Sequence, residues 1–458
     1  MITKELLEKY NIPVPRYTSY PPANFFTEEY SSEQYEKAVR ESNQWSPDYI
    51  SFYFHVPFCK KLCYFCGCNS YGMRKLDAVD YYMKAMIKEL EMVISRLDKN
   101  RLVSQIHYGG GTPNAVPEKY LQEINQLIFD NFKFIDNPEI AIECNPAYLD
   151  EKQIVELKKA GFNRFSLGIQ DFKQDVLTAV NREEPFMELG KIIDLLKADA
   201  PDLKVNLDFI YGLPKQTAES FAKTMEMAAA LKPDRLVTFS YAHVPWVSKI
   251  QKKLEIHGLP ENNEKVKMNE EALRVMTENG YEPIGMDHYA LPDDELCVAQ
   301  REHHLHRNFQ GYCTRRTTGQ VYACGVTGIS QLAKVYAQNT KSIDGYIDAI
   351  NRNEFATVKG YELTNDQVLV REAITELMCN HRIVWDDLAK KLNVPSEQLK
   401  AAMASRPEKM EDLAKDGIID LENGNILMNT DGALFLRNVA AALDPLFGTA
   451  GKNFSKPV

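Results

Sequence analysis

The feature that most limits how this chain can fold is an alternation of strand-like and helical segments. Six apolar, β-rich runs lie at residues 50–56, 103–108, 139–144, 164–169, 204–211 and 235–241, and a weaker one at 282–288. Segments with helical periodicity lie between several of them, at 79–97, 118–132 and 150–161. Repeats of strand, helix and strand form parallel sheets, because the helix returns the chain to the start of the next strand. The pattern predicts an α/β protein.

Two parallel architectures fit this pattern, a doubly wound sheet and a (β/α) barrel, and periodicity alone does not separate them. The segments that follow the strands are polar or rich in glycine: "CKKLCYFCGC", "GGGTPN", "NPAYL", "QDF", "GLPKQT" and "AHVP". Barrel enzymes build their sites from loops at the carboxyl ends of the strands. We therefore predict a partial (β/α)6 TIM-like barrel.

The sequence on either side of the repeats has a different character. Residues 1–48 are polar and rich in Pro and Tyr, and the prolines of "PRYTSYPPANFF" predict an extended, ordered arm. Residues 49–345 hold the barrel and an extension for a substrate site. Residues 346–458 are mostly helical and include a hairpin-like "GIIDLENGNILM", a winged-helix-like pattern. Its mixed charge offers no basic recognition stripe for DNA, so we expect a lid or packing domain.

The cysteines are distributed unevenly. Four of the nine lie within ten residues of "HVPFCKKLCYFCGCN", and five are scattered singly. An odd, scattered set makes a poor disulfide framework and favours a reducing compartment, here the cytoplasm. The sequence shows no signal peptide or long apolar run, which predicts no membrane association. A net charge of −10 argues against a general nucleic-acid surface.

Three kinds of site compete to explain the cysteine cluster. A structural zinc site usually joins two separated ligand pairs, and no second pair follows at that spacing. A dithiol redox pair would use only two of the four thiols. An iron–sulfur cluster uses closely spaced thiolates on one loop, and we favour it. Cys59, Cys63 and Cys66 form C-x3-C-x2-C and leave one of four irons open, whereas Cys68 follows too closely to face the same cluster.

This motif, on the loop after the first strand, resembles that of the radical SAM superfamily, in which the open iron binds S-adenosylmethionine (SAM). Further segments, "PRYTSYP", "YGGGTPN", "GIQDF", "VNREE", "DFIYGLPKQT", "GMDHYALPDDELCVAQRE" and "LHRNFQGY", extend the resemblance to nearly the whole chain. Together they resemble the oxygen-independent coproporphyrinogen III oxidase family. The resemblance implies oxidative decarboxylation of two propionates of coproporphyrinogen III to vinyl groups, giving protoporphyrinogen IX in haem and porphyrin biosynthesis.

The resemblance also implies the cofactors and the residues that bind them. The cofactors are a 4Fe-4S cluster, with Cys59, Cys63 and Cys66 as metal ligands, and one or two SAM molecules. Cys68 and Tyr53 are the implied catalytic residues. The residues expected to contact SAM are Tyr53, Phe65, Gly110, Gly111, Thr112, Glu143, Gln170, Arg182, Asp208, Ala242 and Ile329. Taken singly, most of them fit ordinary core, turn or surface positions equally well.

Arg16, Arg307 and Gln310 are candidates for binding the propionates of the substrate. The implied partners are coproporphyrinogen III, a flavodoxin- or ferredoxin-like electron donor and an unknown electron acceptor. We expect a monomer that binds neither nucleic acid nor membrane. We assign no role to His288, His303, His304 and His306.

Two other functions stay open on sequence grounds, a haem-binding chaperone of the same superfamily and a radical SAM enzyme that methylates or opens haem. The arm, Cys68 and "HRNFQGY" favour the decarboxylase over the chaperone. One segment departs from the family pattern: "TTGQVYACGVTGISQL" carries Cys324 and Gly328 in a turn that we expect near the cofactor. This departure puts fine substrate choice in doubt.

Overall fold

The computed structural model describes residues 3–314, 319–449 and 454–456. The strands in these residues are β1 Ile50–Val56, β2 Phe58–Cys59, β3 Tyr71–Gly72, β4 Leu102–Gly110, β5 Lys133–Cys144, β6 Arg164–Gln170, β7 Lys204–Tyr211, β8 Arg235–Ser240, β9 Glu282–Ile284, β10 His288–Ala290, β11 Leu305–Asn308, β12 Gly311–Thr314, β13 Gln320–Cys324, β14 Ile329–Gln331, β15 Val335–Asn339, β16 Thr357–Glu362, β17 Arg382–Ile383, β18 Ile419–Glu422 and β19 Asn425–Met428.

The helices in the same residues are α1 Lys4–Tyr10, α2 Ser32–Glu41, α3 Leu76–Ile94, α4 Glu118–Asn131, α5 Glu151–Lys159, α6 Gln174–Ala179, α7 Leu189–Lys197, α8 Ala218–Ala230, α9 Asn262–Glu278, α10 Glu295–Arg301, α11 Ile343–Asn351, α12 Asn365–Asn380, α13 Trp385–Leu392, α14 Ser396–Ala402, α15 Pro407–Lys415 and α16 Leu436–Leu443. None of these helices is long and apolar enough to cross a membrane.

The centre of the molecule is one twelve-stranded sheet in the order β16-β15-β14-β13-β1-β4-β5-β6-β7-β8-β10-β9. Strands β1 and β4 to β8 are parallel and follow each other in chain order. A doubly wound sheet would reverse its strand order at a switch point, whereas a barrel winds in one direction. The two ends of the sheet do not pair with each other, so the predicted partial (β/α)6 barrel is confirmed.

Apolar residues on the strands and helices explain the barrel's core. Phe52 and Phe54 of β1 are buried beside Ile106 of β4, and the apolar stripe of α3 packs on the same cluster. Helix α8 is capped by Thr217, whose side chain accepts a hydrogen bond from the Ser220 amide in a capping box. Each repeat thus buries one helix face and leaves the carboxyl ends of the strands free to carry polar residues.

The sheet is longer than the sequence pattern predicts. Strand β13 pairs in parallel with β1, and β14, β15 and β16 add antiparallel strands beyond it. Pairing therefore carries the sheet to Glu362, past residue 345 where the sequence pattern places a domain boundary. The run at 282–288 is two strands, β9 and β10, because Gly285 turns the chain between them with a φ of +60°. Short strands with three to five residues carry too little periodicity to be recognised.

The arm is more helical than its prolines suggest. Helix α2 begins with a capping box between Ser31 and Gln34, for which "SSEQ" is the sequence signal. Tyr10, Val14 and Tyr17 of the arm are buried in a second core with helices α12 to α16. That core includes the three-stranded sheet β17-β19-β18, so the C-terminal region is helical with a small wing, as predicted. The arm and the C-terminal region form one packed unit.

Candidate active site

The cysteine loop follows β1 at the carboxyl edge of the sheet and is fixed by hydrogen bonds from several elements. His55 Nε2 donates to the carbonyl of Asn69 at 3.0 Å, and the Tyr53 hydroxyl donates to His55 Nδ1 at 3.1 Å. This pair of bonds fixes the neutral tautomer of His55. Asn181 Nδ2 donates to the carbonyl of Leu62 at 2.8 Å from the far side of the loop.

The four thiols have different surroundings. Cys59 is buried, accepts a hydrogen bond from the Thr112 hydroxyl at 3.3 Å, and has its pKa raised to about 11 by burial. Arg182 Nη1 lies 3.7 Å from Cys63 Sγ. The Cys68 side chain hydrogen-bonds to Cys66 and is the main cause that lowers the pKa of Cys66 to about 6. Cys68 is the exposed member of the four.

The donor set fits an iron–sulfur cluster. Cys59, Cys63 and Cys66 lie close enough to influence one another's charge, and Arg182 beside Cys63 would offset thiolate charge. Among the described residues, no group of three His, Cys, Asp or Glu side chains is arranged to hold a single metal ion. A cluster is larger than one ion, and its thiolate ligands bind at separate corners. The arrangement therefore suits three thiolates that surround a cluster and leave the fourth iron open.

The glycines at the carboxyl end of β4 are required by close packing. A Cβ at Gly109 would lie 2.7 Å from a carboxylate oxygen of Glu143, and one at Gly110 would lie 2.7 Å from the His55 ring. Gly110 also has a φ of +112°. At Gly111 a Cβ would meet the Pro57 backbone at 2.6 Å. The glycines let the end of β4 lie directly against β1 and the cysteine loop.

Glu143 ends β5 within this cluster of polar groups. It accepts a hydrogen bond from His107 Nε2 at 3.0 Å, and the Tyr53 ring lies 5.9 Å from the His107 ring. Burial alone would raise the pKa of Glu143, but the His107 hydrogen bond and nearby charges hold it below its usual value. The Glu143 side chain is 43% exposed, so the carboxylate can reach a ligand.

Gln170, Arg182 and Asp208 complete the edge at β6 and β7. Gln170 has a φ of +74°, an uncommon backbone conformation for a residue with a side chain and one that clusters at functional sites. Arg182 Nη2 donates to the carbonyl of Gly168 beside it. Asp208 accepts hydrogen bonds from Ser166 and Asn206, while burial and the charge of Glu143 raise the pKa of Asp208 to about 6.

A cavity of about 900 Å³ opens at the carboxyl ends of β7 and β8, and we call it the chamber. Its walls come from β7, the segment after β8, β10, the arm and the C-terminal region. Among the described residues that line it, Asp287 is the one carboxylate, whereas Arg16, Lys265, Arg437 and Lys456 are cationic. Burial lowers the pKa of Lys265 to about 8. The chamber is therefore suited to a large anionic ligand.

The arm and the C-terminal region form a roof over the chamber, and arginines fix it in place. Arg16 pairs with Asp287 at 3.2 Å, and Arg307 Nη1 donates to the carbonyl of Arg16 at 3.2 Å. Arg437 of α16 is 5% exposed and donates to the carbonyls of Pro15, Val14, Ser455 and Lys456. Burial, with the positive charges of Arg16 and Arg307, lowers the pKa of Arg437 to about 9.

The remaining candidates lie at different places. Ala242 lines the chamber, and the carbonyl of Phe65 accepts a hydrogen bond from Gln251. Gln310, at the turn of the β11–β12 hairpin, has a buried Oε1 without a hydrogen-bond partner in the described part of the chain. Ile329 begins β14 and packs near Tyr336.

The segment "TTGQVYACGVTGISQL", which departs from the family pattern, lies within the described residues apart from Thr317 and Thr318 at its start. Cys324 is buried in the barrel core, where burial raises its pKa well above the usual value. It is not among the described residues that line the chamber.

Several residues at the site were not predicted from the sequence. His107 orients Glu143, and Arg437 and Lys265 add cations to the chamber. His288, for which the sequence predicts no role, donates to Asp287 at 2.7 Å and lines the chamber together with His303. The position of His107 on β4, two residues before the glycines, was a usable signal. Nothing local marks Arg437.

The chain is similar to a known superfamily over most of its barrel and to individual known proteins over nearly its whole length. Residues 53–228 match the model of the Radical SAM superfamily. Oxygen-independent coproporphyrinogen III oxidase of Synechocystis sp. is 39% identical over 457 residues, which covers 99% of this chain and 97% of that protein. The chain belongs to the oxygen-independent coproporphyrinogen III oxidase family. The Escherichia coli protein of the same name is 38% identical and aligns with 96% of this chain and 94% of its own length.

A solved structure of coproporphyrinogen III oxidase (HemN) from Escherichia coli, a radical SAM enzyme, matches this family member with a TM-score of 0.86. The match covers 97% of this chain and 99% of that one at 37% identity. The predicted family, fold class and enzyme class are confirmed. Membership of a radical SAM family implies a 4Fe-4S cluster and SAM as cofactors.

Proposed function

We propose that this protein converts coproporphyrinogen III to protoporphyrinogen IX without oxygen, by oxidative decarboxylation of two propionates. The observation that carries the proposal is the cationic chamber beside a three-cysteine loop. The segment after β8 joins the two, because Ala242 lines the chamber while Gln251 donates to the carbonyl of Phe65. A radical formed at the loop would be within the same edge of the barrel as a substrate in the chamber.

The cofactor side of this proposal uses the residues around the cysteine loop. Cys59, Cys63 and Cys66 would hold the cluster, which together with SAM would supply a hydrogen-abstracting 5′-deoxyadenosyl radical. Glu143, held by His107, would accept hydrogen bonds from SAM, and Tyr53, whose ring lies near that of His107, would pack beside the cofactor. Thr112, Gly110 and Gly111 bring the end of β4 close to the same ligand.

The other implied SAM contacts continue along the carboxyl ends of the neighbouring strands. Gln170, Arg182 and Asp208 extend the site along β6 and β7. Phe65, Ala242 and Ile329 are candidates for contact with a second SAM molecule.

The substrate side uses the chamber and its roof. Coproporphyrinogen III carries four propionates. We assign to them Arg16, Arg437 and Lys265, which line the chamber, and also Arg307 and Gln310, which are not among its described lining residues. The roof excludes water from a carbon radical that would otherwise react with solvent. Cys68, exposed in the loop, helps place the substrate or transfers hydrogen after SAM is cleaved.

The electron donor, the electron acceptor, the monomeric state and the cytoplasmic location stay predictions. Two alternatives, a haem-binding chaperone and a haem-modifying methyltransferase, would use the same loop with other products.

The test is product analysis of the anaerobically reconstituted protein supplied with SAM, dithionite and coproporphyrinogen III. We expect protoporphyrinogen IX, two molecules of carbon dioxide per porphyrin, and 5′-deoxyadenosine. Tight haem binding without decarboxylation would support the chaperone instead. A methylated or ring-opened tetrapyrrole would support the methyltransferase.

A further inference from the structure

A short helical segment beside the cysteine loop carries an unusual surface. The 3₁₀ helix Lys249–His257 turns Gln251 and Leu254 inward, where both are buried. Since a 3₁₀ helix has three residues per turn, Lys249 and Lys252 share one outward face, and Lys253 and Ile256 share another. We call Val247, Lys249, Lys252, Lys253 and Ile256 the lysine surface.

This surface lies directly against the loop that holds the candidate cluster ligands. Gln251 Nε2 donates to the carbonyl of Phe65 at 2.9 Å, and the Ser248 hydroxyl donates to the carbonyl of Cys66 at 2.8 Å. Lys253 lies over the Tyr64 ring, with its Nζ 4.6 Å from the ring centre. A protein bound here would touch the segment that positions Cys66.

The surface carries more lysines than carboxylates. Lys249, Lys252 and Lys253 make no ion pair within the described residues, and the single carboxylate of the 3₁₀ helix, the exposed Glu255, is hydrogen-bonded to His243 and offsets only part of their charge. The loop itself adds the exposed Lys60 and Lys61. The whole chain has a net charge of −10, so this basic patch is a local exception on an acidic protein.

The surface also exposes apolar side chains. Val247 is 69% exposed and Ile256 is 81% exposed, although each lies within a few residues of buried Gln251 or Leu254. Two exposed apolar side chains beside several lysines offer a partner apolar contact together with charges that steer its approach. On a protein with a net charge of −10, a local basic patch steers an acidic partner toward itself.

We infer that the lysine surface docks a small acidic electron-carrier protein that reduces the cluster. The inference rests on the proposed function, because radical SAM chemistry needs one electron for each SAM that is cleaved. The carrier is oxidised by one electron and the cluster is reduced by one, so no further reactant is needed. Docking against the loop would place the carrier next to the cluster, which accepts its electron.

The test compares two triple variants of the reconstituted protein that change the net charge equally. K249E/K252E/K253E alters the lysine surface, and K133E/K152E/K400E alters exposed lysines elsewhere. The probe is a purified acidic flavodoxin, photoreduced, and the readouts are its dissociation constant by calorimetry and the rate of cluster reduction by stopped-flow absorbance. A dithionite-driven decarboxylation assay runs in parallel.

We expect the lysine-surface variant to bind flavodoxin at least tenfold more weakly and to be reduced at least tenfold more slowly, with a flattened dependence on salt. The control variant should stay within about twofold of wild type, since screened charges far from the interface act weakly. Equal losses in both variants, or no loss in either, would overturn the inference. Failure of the dithionite assay in the unmodified protein would instead count against the proposed function, because flavodoxin binding is measured separately.

Discussion

The cysteine-loop rim and the chamber roof are built in opposite ways. We use rim for the loop together with the ends of β4 to β7, where neighbouring strands bring the functional residues together. The roof instead joins residues from distant parts of the chain: Arg437 binds the carbonyls of Pro15 and Lys456. The proposed radical-forming part of the site therefore follows from the barrel, while the proposed substrate-binding part depends on long-range packing.

The largest effect that we expect is at the rim. Cys59→Ser, Cys63→Ser and Cys66→Ser should each lose most of the iron and all decarboxylation, because serine replaces a thiolate ligand poorly. Cys68→Ser should keep near-normal iron and at least part of its SAM cleavage but lose product formation. Iron and sulfide per chain, measured beside product yield, check all four variants. Loss of iron in Cys68→Ser equal to that in the other three would make Cys68 a fourth ligand and remove the open iron.

The second effect concerns the roof. Arg437→Gln should weaken binding of coproporphyrin III, the stable oxidised analogue, at least ~30-fold, or about 2 kcal/mol, because a buried cation is lost. Fluorescence titration of the anaerobic protein measures this affinity. The matched control is Arg406→Gln, since Arg406 also donates to backbone carbonyls, those of Ala441 and Phe447, but does not line the chamber. Equal weakening by both variants would assign the effect to general loss of packing.

A smaller effect is expected for the carboxylate at the rim. Glu143→Gln should weaken SAM binding about tenfold, or about 1.4 kcal/mol, because a neutral amide accepts hydrogen bonds less strongly than a carboxylate. Calorimetry on the reconstituted protein gives the dissociation constant. Glu123→Gln, an exposed change on α4, is the control. Unchanged SAM affinity in Glu143→Gln would remove Glu143 from the cofactor site while leaving its hydrogen bond to His107 as a structural feature.

The smallest effect that we expect is a pH dependence of stability, caused by a buried carboxylate on α3 beneath the rim. Glu89 on α3 accepts hydrogen bonds from Tyr346 and the Gly325 amide, and burial raises its pKa from 4.5 to about 7. The folded state therefore holds a proton that the unfolded state releases near pH 4.5, so this group's contribution to stability falls as the pH rises from 4.5 to 7.

Glu89→Gln should make the melting temperature less sensitive to pH across this window, by roughly a few degrees. Differential scanning calorimetry at pH 5 and pH 8 measures the change, with the exposed Glu91→Gln on the same helix as control. An identical pH dependence in Glu89→Gln and wild type would show that Glu89 does not titrate with a raised pKa.

The same division separates the features that local sequence patterns predict from those that depend on long-range packing. The six parallel strands are local patterns that the structure confirms, whereas the role of the three closely spaced cysteines as cluster ligands stays a prediction. The antiparallel strands β14 to β16 are three to six residues long, too short for a reliable period. Arg437 lies more than 420 residues from Pro15, and its role depends on burial that no local pattern reports.

The central claim is that the rim generates the radical and the roofed chamber holds the porphyrinogen. The most direct test is one anaerobic experiment that counts 5′-deoxyadenosine and protoporphyrinogen IX in wild type and in Arg437→Gln, beside iron content. We predict that Arg437→Gln keeps its iron and still forms 5′-deoxyadenosine, while its yield of protoporphyrinogen IX falls at least ~10-fold. An unchanged ratio of protoporphyrinogen IX to 5′-deoxyadenosine would contradict the claim that the two regions perform separate steps.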